Sequence, residues 1–130
     1  MSGGYYRGTT ILVTGGAGSI GSRLVQRLTS LGSDVVVVDD FSSGHRWKLP
    51  ESTRVIEGDI ANTQALSKGL DAQPKVVFHL AAFFANQNSV DHPYADLDTN
   101  GHGTVNVLEQ CSEKTSVDRV VYSSSSCVYD

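Results

Sequence analysis

An apolar run, Thr10-Ile11-Leu12-Val13-Thr14, passes without a break into Gly15-Gly16-Ala17-Gly18 and leaves few folds open. An amphipathic stretch follows, with Ile20, Leu24, Leu28 and Leu31 predicted along one helix face and Gly32 placed to cap its end. Gly16, Gly18 and Gly21 satisfy GxGxxG, while Gly15, Gly18 and Gly21 satisfy GxxGxxG. In either register one glycine makes the tight turn, a second admits a close backbone approach, and the last packs helix on strand. The helix N-terminus then offers unpaired amides and a dipole to an anion such as a pyrophosphate. The plainer alternative is a tight strand–helix turn with no ligand.

The rest of the chain repeats the alternation. Asp34-Val35-Val36-Val37-Val38-Asp39 is apolar on both faces, as befits an interior strand of a parallel sheet. A polar loop containing Ser42, Ser43, Gly44 and His45 leads to a short third strand over 54–59. A helix is predicted over 62–70, with Asn62 as N-cap and Leu66 and Leu70 facing inward. A fourth strand is predicted over 75–81. After a loop broken by Pro93 comes a long helix over 95–113 that uses Leu97, Val105, Leu108 and Cys111. A fifth strand is predicted over 118–123. Five strands joined by helices or loops imply right-handed crossovers and a doubly wound α/β parallel sheet of Rossmann type. Ligands of such sheets lie beyond the carboxyl ends of the strands.

Composition narrows the function classes. In 130 residues the hydrophobic share is 39% and the charged share 18%, a balance that suits one folded domain. A net charge of −4 provides no basic footprint for nucleic acid or anionic lipid. The apolar runs are four or five residues long, against about 20 for a membrane span. Residues 1–9 are expected to be a loose leader and residues 10–130 the domain. Two cysteines, Cys111 and Cys127, build no disulfide framework, so a reduced, cytoplasmic setting is expected. The histidines at 45, 79, 92 and 102 lack metal-ligand spacing, and no metal is expected.

Asp39 closes the second strand eighteen residues beyond Gly21. A carboxylate there accepts hydrogen bonds from ribose hydroxyls and repels a 2′-phosphate, which favours NAD over NADP. Asp40 strengthens that repulsion, while Arg46 stands close enough in sequence to approach a phosphate. The alternative for Asp39 is a carboxylate that only caps its loop.

TGGAGSIGS, VVVVDDFSSG, EGDI, VVFHLAA, NGHGTVNVLE and VVYSSSSCVYD occur here in order. Together they resemble the extended short-chain dehydrogenases, in the NAD-dependent epimerase/dehydratase group that remodels nucleotide sugars. The resemblance implies NAD as cofactor, with Gly15, Gly18, Ser19, Ile20 and Gly21 at the pyrophosphate. It places Asp39 at the ribose, with Asp40, Ser42, Ser43 and Gly44 beside it. Asp59 and Ile60 would flank the adenine, Asp59 accepting from its amine. Leu80, Ala81 and Ala82 would line the cofactor, and Asn100 would be a structural polar group near it. Phe83 and Phe84 would shape the wall by the nicotinamide or simply pack. For His79, satisfaction by backbone is expected rather than catalysis.

By the same resemblance Ser125 is the catalytic hydroxyl that hydrogen-bonds the substrate oxygen, the alternative being a polar strand exit. Dehydratases of the group carry an Asp-Glu pair after that hydroxyl, and sugar-acid decarboxylases a Glu. Ser126-Cys127 stands here instead, which favours 4-epimerisation. Cys127 resembles an acid/base of 3,5-epimerases, although a small buried packing role is the stronger expectation. Asp130 stands where the family has glycine. The family's Tyr-x-x-x-Lys pair is absent, since Thr9, Thr10, Asp98 and Ser126 stand four positions after Tyr5, Tyr6, Tyr94 and Tyr122, and nothing follows Tyr129 at that distance.

The expected function is therefore the N-terminal NAD-binding part of a nucleotide-sugar epimerase, truncated before the substrate domain and inactive alone. The alternatives are a free-standing NAD(H)-binding module and a structural remnant of the fold. In the complete enzyme a UDP- or other nucleotide sugar would be the substrate, and the 95–113 helix a homodimer face.

Overall fold

The computed structural model describes residues 3–129. Its order is α1 (Gly3–Tyr6), β1 (Thr10–Thr14), α2 (Ser19–Ser30), β2 (Asp34–Asp39), β3 (Arg54–Glu57), α3 (Thr63–Leu70), β4 (Val76–His79), α4 (Asn86–Asp91), α5 (Pro93–Asp96), α6 (Thr104–Ser112) and β5 (Arg119–Tyr122). A π-helical turn over Leu97–Gly103 joins α5 to α6, and short 3-10 turns occur at Arg46–Lys48 and Ser126–Val128. The five strands are parallel, in the order β3-β2-β1-β4-β5. The chain winds outward from β1 to β3, then crosses back to β4 on the other side of β1. That reversal opens a crevice between the carboxyl ends of β1 and β4.

Both faces of the sheet are covered, as the unbroken apolar strands require. Leu12, Val36, Val38 and Val77 pack with Ile60, Leu66 and Leu70 and with Val107 and Cys111 of α6. Ile11, Val13, Val35, Val37 and Val76 pack on the other face with Val25 and Leu28 of α2. Asn62 caps α3 through its side chain, which accepts from the Gln64 and Ala65 amides. Gly32 ends α2, with the Ser33 amide donating back to the Leu28 carbonyl.

Several expectations are corrected. Residues 3–9 are no loose leader, because Tyr6 packs on the α2 face of the sheet and its carbonyl accepts from Ser33 Oγ at 2.9 Å. The Gly8 amide donates to Gly32 O at 2.8 Å, tying the same segment to the end of α2. In α2 the buried residues are Gly21, Ser22, Val25 and Leu28, whereas Ile20 is 75% exposed. The predicted stripe is rotated because Gly21, the point of closest approach, must face the sheet. In the long helix Val107 is fully buried, and Leu97, Val105 and Leu108 face outward with Cys111 inward. That helix is also interrupted by the π turn, where the Asn100 side chain is fastened to the loop after β4. Residues 86–91, expected as loop, form α4. The third, fourth and fifth strands each end sooner than predicted, since their last residues peel away into the loops of the crevice. Asp130 lies outside the described residues.

Candidate active-site crevice

Gly15 opens the turn after β1 with φ +68°, a left-handed backbone that favours glycine. A Cβ on it would stand 2.6 Å from Ala81 N, so the turn and the β4 exit are in backbone contact. A Cβ on Gly21 would collide with Gly15 O and lie 2.8 Å from Gly16 Cα. Gly16 is pressed on Val37 of β2 and belongs to the packing. Gly18 differs, for an added Cβ there would meet only Gly15 O, at an ordinary 3.4 Å. The fold thus requires glycine at 15, 16 and 21, and the glycine it does not require lies at the mouth of the helix.

The first α2 amide to find a carbonyl is that of Ser22, on Gly18 O at 3.0 Å. Among the described residues no acceptor takes the amides of Ser19, Ile20 and Gly21. They form a donor cluster at the positive end of a twelve-residue helix. This cradle fits a pyrophosphate, both in its donors and in the absence of a side chain at Gly18.

Asp39 is 7% exposed. Its Oδ2 accepts from Ala17 N and its Oδ1 from Phe41 N, each at 2.8 Å. It therefore caps its loop as the plainer alternative held, fixing the glycine turn and holding Phe41 at φ 57°. Each oxygen keeps lone-pair capacity, so a ribose can be accepted as well. Asp40 Oδ1 accepts from Ser42 N and Ser42 Oγ. Gly44 lies against Ala17, whose carbonyl accepts from His45 N, and the exposed Ser43 sits in the same fold-over. Arg46 is turned away from a phosphate position, donating to the Pro50 and Thr53 carbonyls.

On the far side of β2, Asp59 is exposed and its Oδ1 accepts from Ala61 N. Ile60 is 3% exposed and packed in the core against Gly103, so its side chain cannot flank a ligand, and its carbonyl accepts from Asn106 Nδ2 at 2.6 Å. Beyond β4, Leu80 and Ala81 are half-buried and Ala82 is exposed. Asn100 clamps the following loop, its Oδ1 accepting from Phe83 N at 2.9 Å and its Nδ2 donating to Phe83 O at 3.0 Å. Phe83 is thereby half-buried beside the helix, and Phe84 is 85% exposed.

His79 is satisfied by side chains, not by backbone as expected. Its Nδ1 meets Thr14 Oγ1 at 2.7 Å and its Nε2 meets Thr104 Oγ1 at 2.9 Å. Burial holds its pKa below the ordinary value. The sequence reading missed Thr14 and Thr104. The available signal was a hydroxyl placed directly before the glycine turn.

Ser125 is exposed beyond β5, its Oγ accepting from Cys127 N at 3.1 Å. Cys127 is exposed, which corrects the expected packing role. The crevice therefore gathers the glycine turn, Asp39, the Asp40–Gly44 loop and the β4 exit, with Asp59 and Ser125 on the same sheet edge. Among the described residues no group of three or more His, Cys, Asp or Glu could hold a metal ion. Nor is any helix among them long and apolar enough to cross a membrane.

Comparison with known proteins agrees with this geometry. A UDP-glucose 4-epimerase of Azospirillum brasilense is 35% identical over 120 residues, covering 92% of this chain and 34% of the relative. One from Mycolicibacterium smegmatis is 39% identical, covering 88% of this chain and 38% of the relative. Among solved structures, epimerase Mth375 of Methanothermobacter thermautotrophicus matches with TM-score 0.90 and 46% identity, over 95% of this chain and 37% of that one. The Bordetella bronchiseptica enzyme WbmF, solved in complex with NAD+, matches with TM-score 0.86 and 35% identity, over 93% and 37%. The chain thus spans about a third of the length of the curated relatives it matches. The model of the NAD dependent epimerase/dehydratase family matches residues 11–130, and the chain belongs to that family.

Proposed function

We propose that this chain is the NAD-binding portion of a nucleotide-sugar epimerase. The observation that carries the reading is the pairing of a side-chain-free helix mouth at Gly18 with the buried carboxylate of Asp39. The Ser19, Ile20 and Gly21 amides would hold the pyrophosphate, and Asp39 the ribose hydroxyls. Asp40, Ser42, Ser43 and Gly44 would line the ribose side. Asp59 and the Ile60 backbone would receive the adenine, while Leu80, Ala81 and Ala82 would form the wall near the nicotinamide. Asn100 would act from behind, by fixing the loop at Phe83.

Bound there, NAD supplies a hydride acceptor and donor for a sugar carbon. Ser125 would hydrogen-bond the sugar oxygen whose proton is removed. Exposed Cys127 beside it would be free to act as a further acid/base if the chemistry were that of a 3,5-epimerase, the alternative to 4-epimerisation. With no Tyr-x-x-x-Lys pair in the chain, the proton abstraction that starts the reaction lacks its base, and the chain alone turns over no sugar. The outward face of Leu97, Val105 and Leu108 is proposed as a homodimer surface of the complete enzyme.

Calorimetric titration with NAD tests the reading. Asp39→Ala removes the ribose acceptor and also frees the Ala17 amide, so affinity should fall at least about tenfold. Equal affinity in a folded variant would overturn the ribose assignment, and epimerase turnover by the purified chain would overturn the claim of inactivity.

A further inference from the structure

We infer that His79, acting through Thr14, is a positioning residue for the crevice: its ring fixes the one orientation of the Thr14 hydroxyl that fastens the Ala81 amide against the glycine turn. The inference rests on the proposed cofactor site and concerns how that site is held in shape.

A hydroxyl has one proton and two lone pairs. Thr14 Oγ1 accepts from Leu80 N at 3.2 Å and from Ala81 N at 3.3 Å. Its proton is then left for His79 Nδ1, 2.7 Å away. His79 Nδ1 must therefore accept, which places the ring proton on Nε2, where it donates to Thr104 Oγ1 at the start of α6. The hydrogen bonds select one neutral tautomer. Leu80 N has a second acceptor in the Thr14 carbonyl at 3.1 Å, whereas among the described residues Ala81 N has only the hydroxyl. The Ala81 amide is the group that packs on Gly15, the first residue of the pyrophosphate turn. His79, Thr14, Ala81 and Gly15 thus form one unbroken line from the core to the crevice.

The arrangement is intolerant of a second ring proton. An imidazolium presents N–H to the Thr14 O–H, two donors without an acceptor, and the hydroxyl can relieve this only by releasing an amide. The groups that face the ring are Thr14 from β1, Thr104 from α6 and the Tyr122 ring of β5, stacked at 5.7 Å. Among the described residues no carboxylate bonds to it, and burial alone pushes its pKa down. A His held low in the folded state is protonated more readily when unfolded. Its contribution is present above the ordinary value of about 6.5 and is lost as pH falls below it.

The test combines nitrogen–proton NMR of the ring and backbone with NAD titration of the chain, His79→Asn and His79→Leu. At neutral pH the wild-type ring should be the Nε2–H tautomer. Asn places an acceptor where Nδ1 stands, so the Gly15 and Ala81 amide resonances and the NAD affinity should stay near wild type, within about twofold. Leu offers no acceptor, and should shift both resonances and weaken NAD binding about tenfold. Wild-type affinity should hold near neutral pH and fall only as pH is taken below the ordinary histidine value of about 6.5, and that of the Asn variant should not. An Nδ1–H tautomer or an imidazolium at neutral pH would overturn the inference. So would a Leu variant with wild-type resonances and affinity. If Leu fails to fold, the ring tautomer and the Asn variant decide. A wild-type chain that binds no NAD while the ring and the Ala81 amide respond as described defeats the cofactor reading and leaves the Thr14 network standing.

Discussion

Gly18 and Gly21 lie three residues apart in one turn and answer to different demands. A methyl at Gly21 is driven into the Gly15 carbonyl, so Gly21→Ala should cost about 1–3 kcal/mol of stability, read from the shift of a denaturant midpoint. A methyl at Gly18 meets the protein only at ordinary contact distance, so Gly18→Ala should change stability by less than about 0.5 kcal/mol. It should nonetheless weaken NAD about tenfold, because the methyl occupies the mouth of the helix. A Gly18→Ala chain that binds NAD like wild type would show that the pyrophosphate does not sit there. Asp39 also serves two ends, gripping Ala17 N and Phe41 N while facing the crevice. The sequence displayed its position at the end of an apolar strand. Which amides it would hold was not legible, because those contacts depend on the loop path after Asp40.

Among the elements, β1, β2 and α3 were legible because each has a strong local signal. Val35–Val38 can only be interior strand, and Asn62 marks a helix start two and three residues before the amides it caps. The faces of α2 and α6 were read less well. Leucine spacing suggested Ile20 and Leu97, yet the buried stripes follow Gly21 and Val107, since the closest backbone approach sets the rotation of a helix. Side-chain deletion separates the two patterns. Leu66→Ala, in the core under β1 and β2, should cost about 2–5 kcal/mol, and Ile20→Ala less than about 0.5 kcal/mol. Comparable losses at the two sites would contradict the observed packing. Helix α4 was invisible because Asn86-Gln87-Asn88-Ser89 has no apolar period, and because its start depends on Ala85 at φ 85°.

The two thiols extend the contrast to the whole molecule. Cys111 is enclosed between α6 and the sheet, and burial raises its pKa to about 11, so near neutral pH it is a protonated, shielded thiol. Cys127 is exposed at the sheet edge beside Ser125. Iodoacetamide should therefore modify one cysteine in the folded chain, at position 127, and the second only in denaturant. Rapid modification of Cys111 under native conditions would mean that α6 leaves the sheet readily. The architecture itself was legible because parallel β-branched strands leave few topologies open. The outward apolar face of α6 was foreseen only in part, since it depends on which side of that helix the core takes.

In the proposed site, the crevice between β1 and β4 takes NAD and discriminates against a 2′-phosphate. Side-by-side calorimetric titration of this chain with NAD and NADP tests it most directly. Micromolar to millimolar binding of NAD and markedly weaker binding of NADP are expected, because Asp39 and Asp40 would stand at the ribose and Arg46 is engaged with the Pro50 and Thr53 carbonyls. A folded chain that binds neither, or that binds NADP as tightly as NAD, would contradict it.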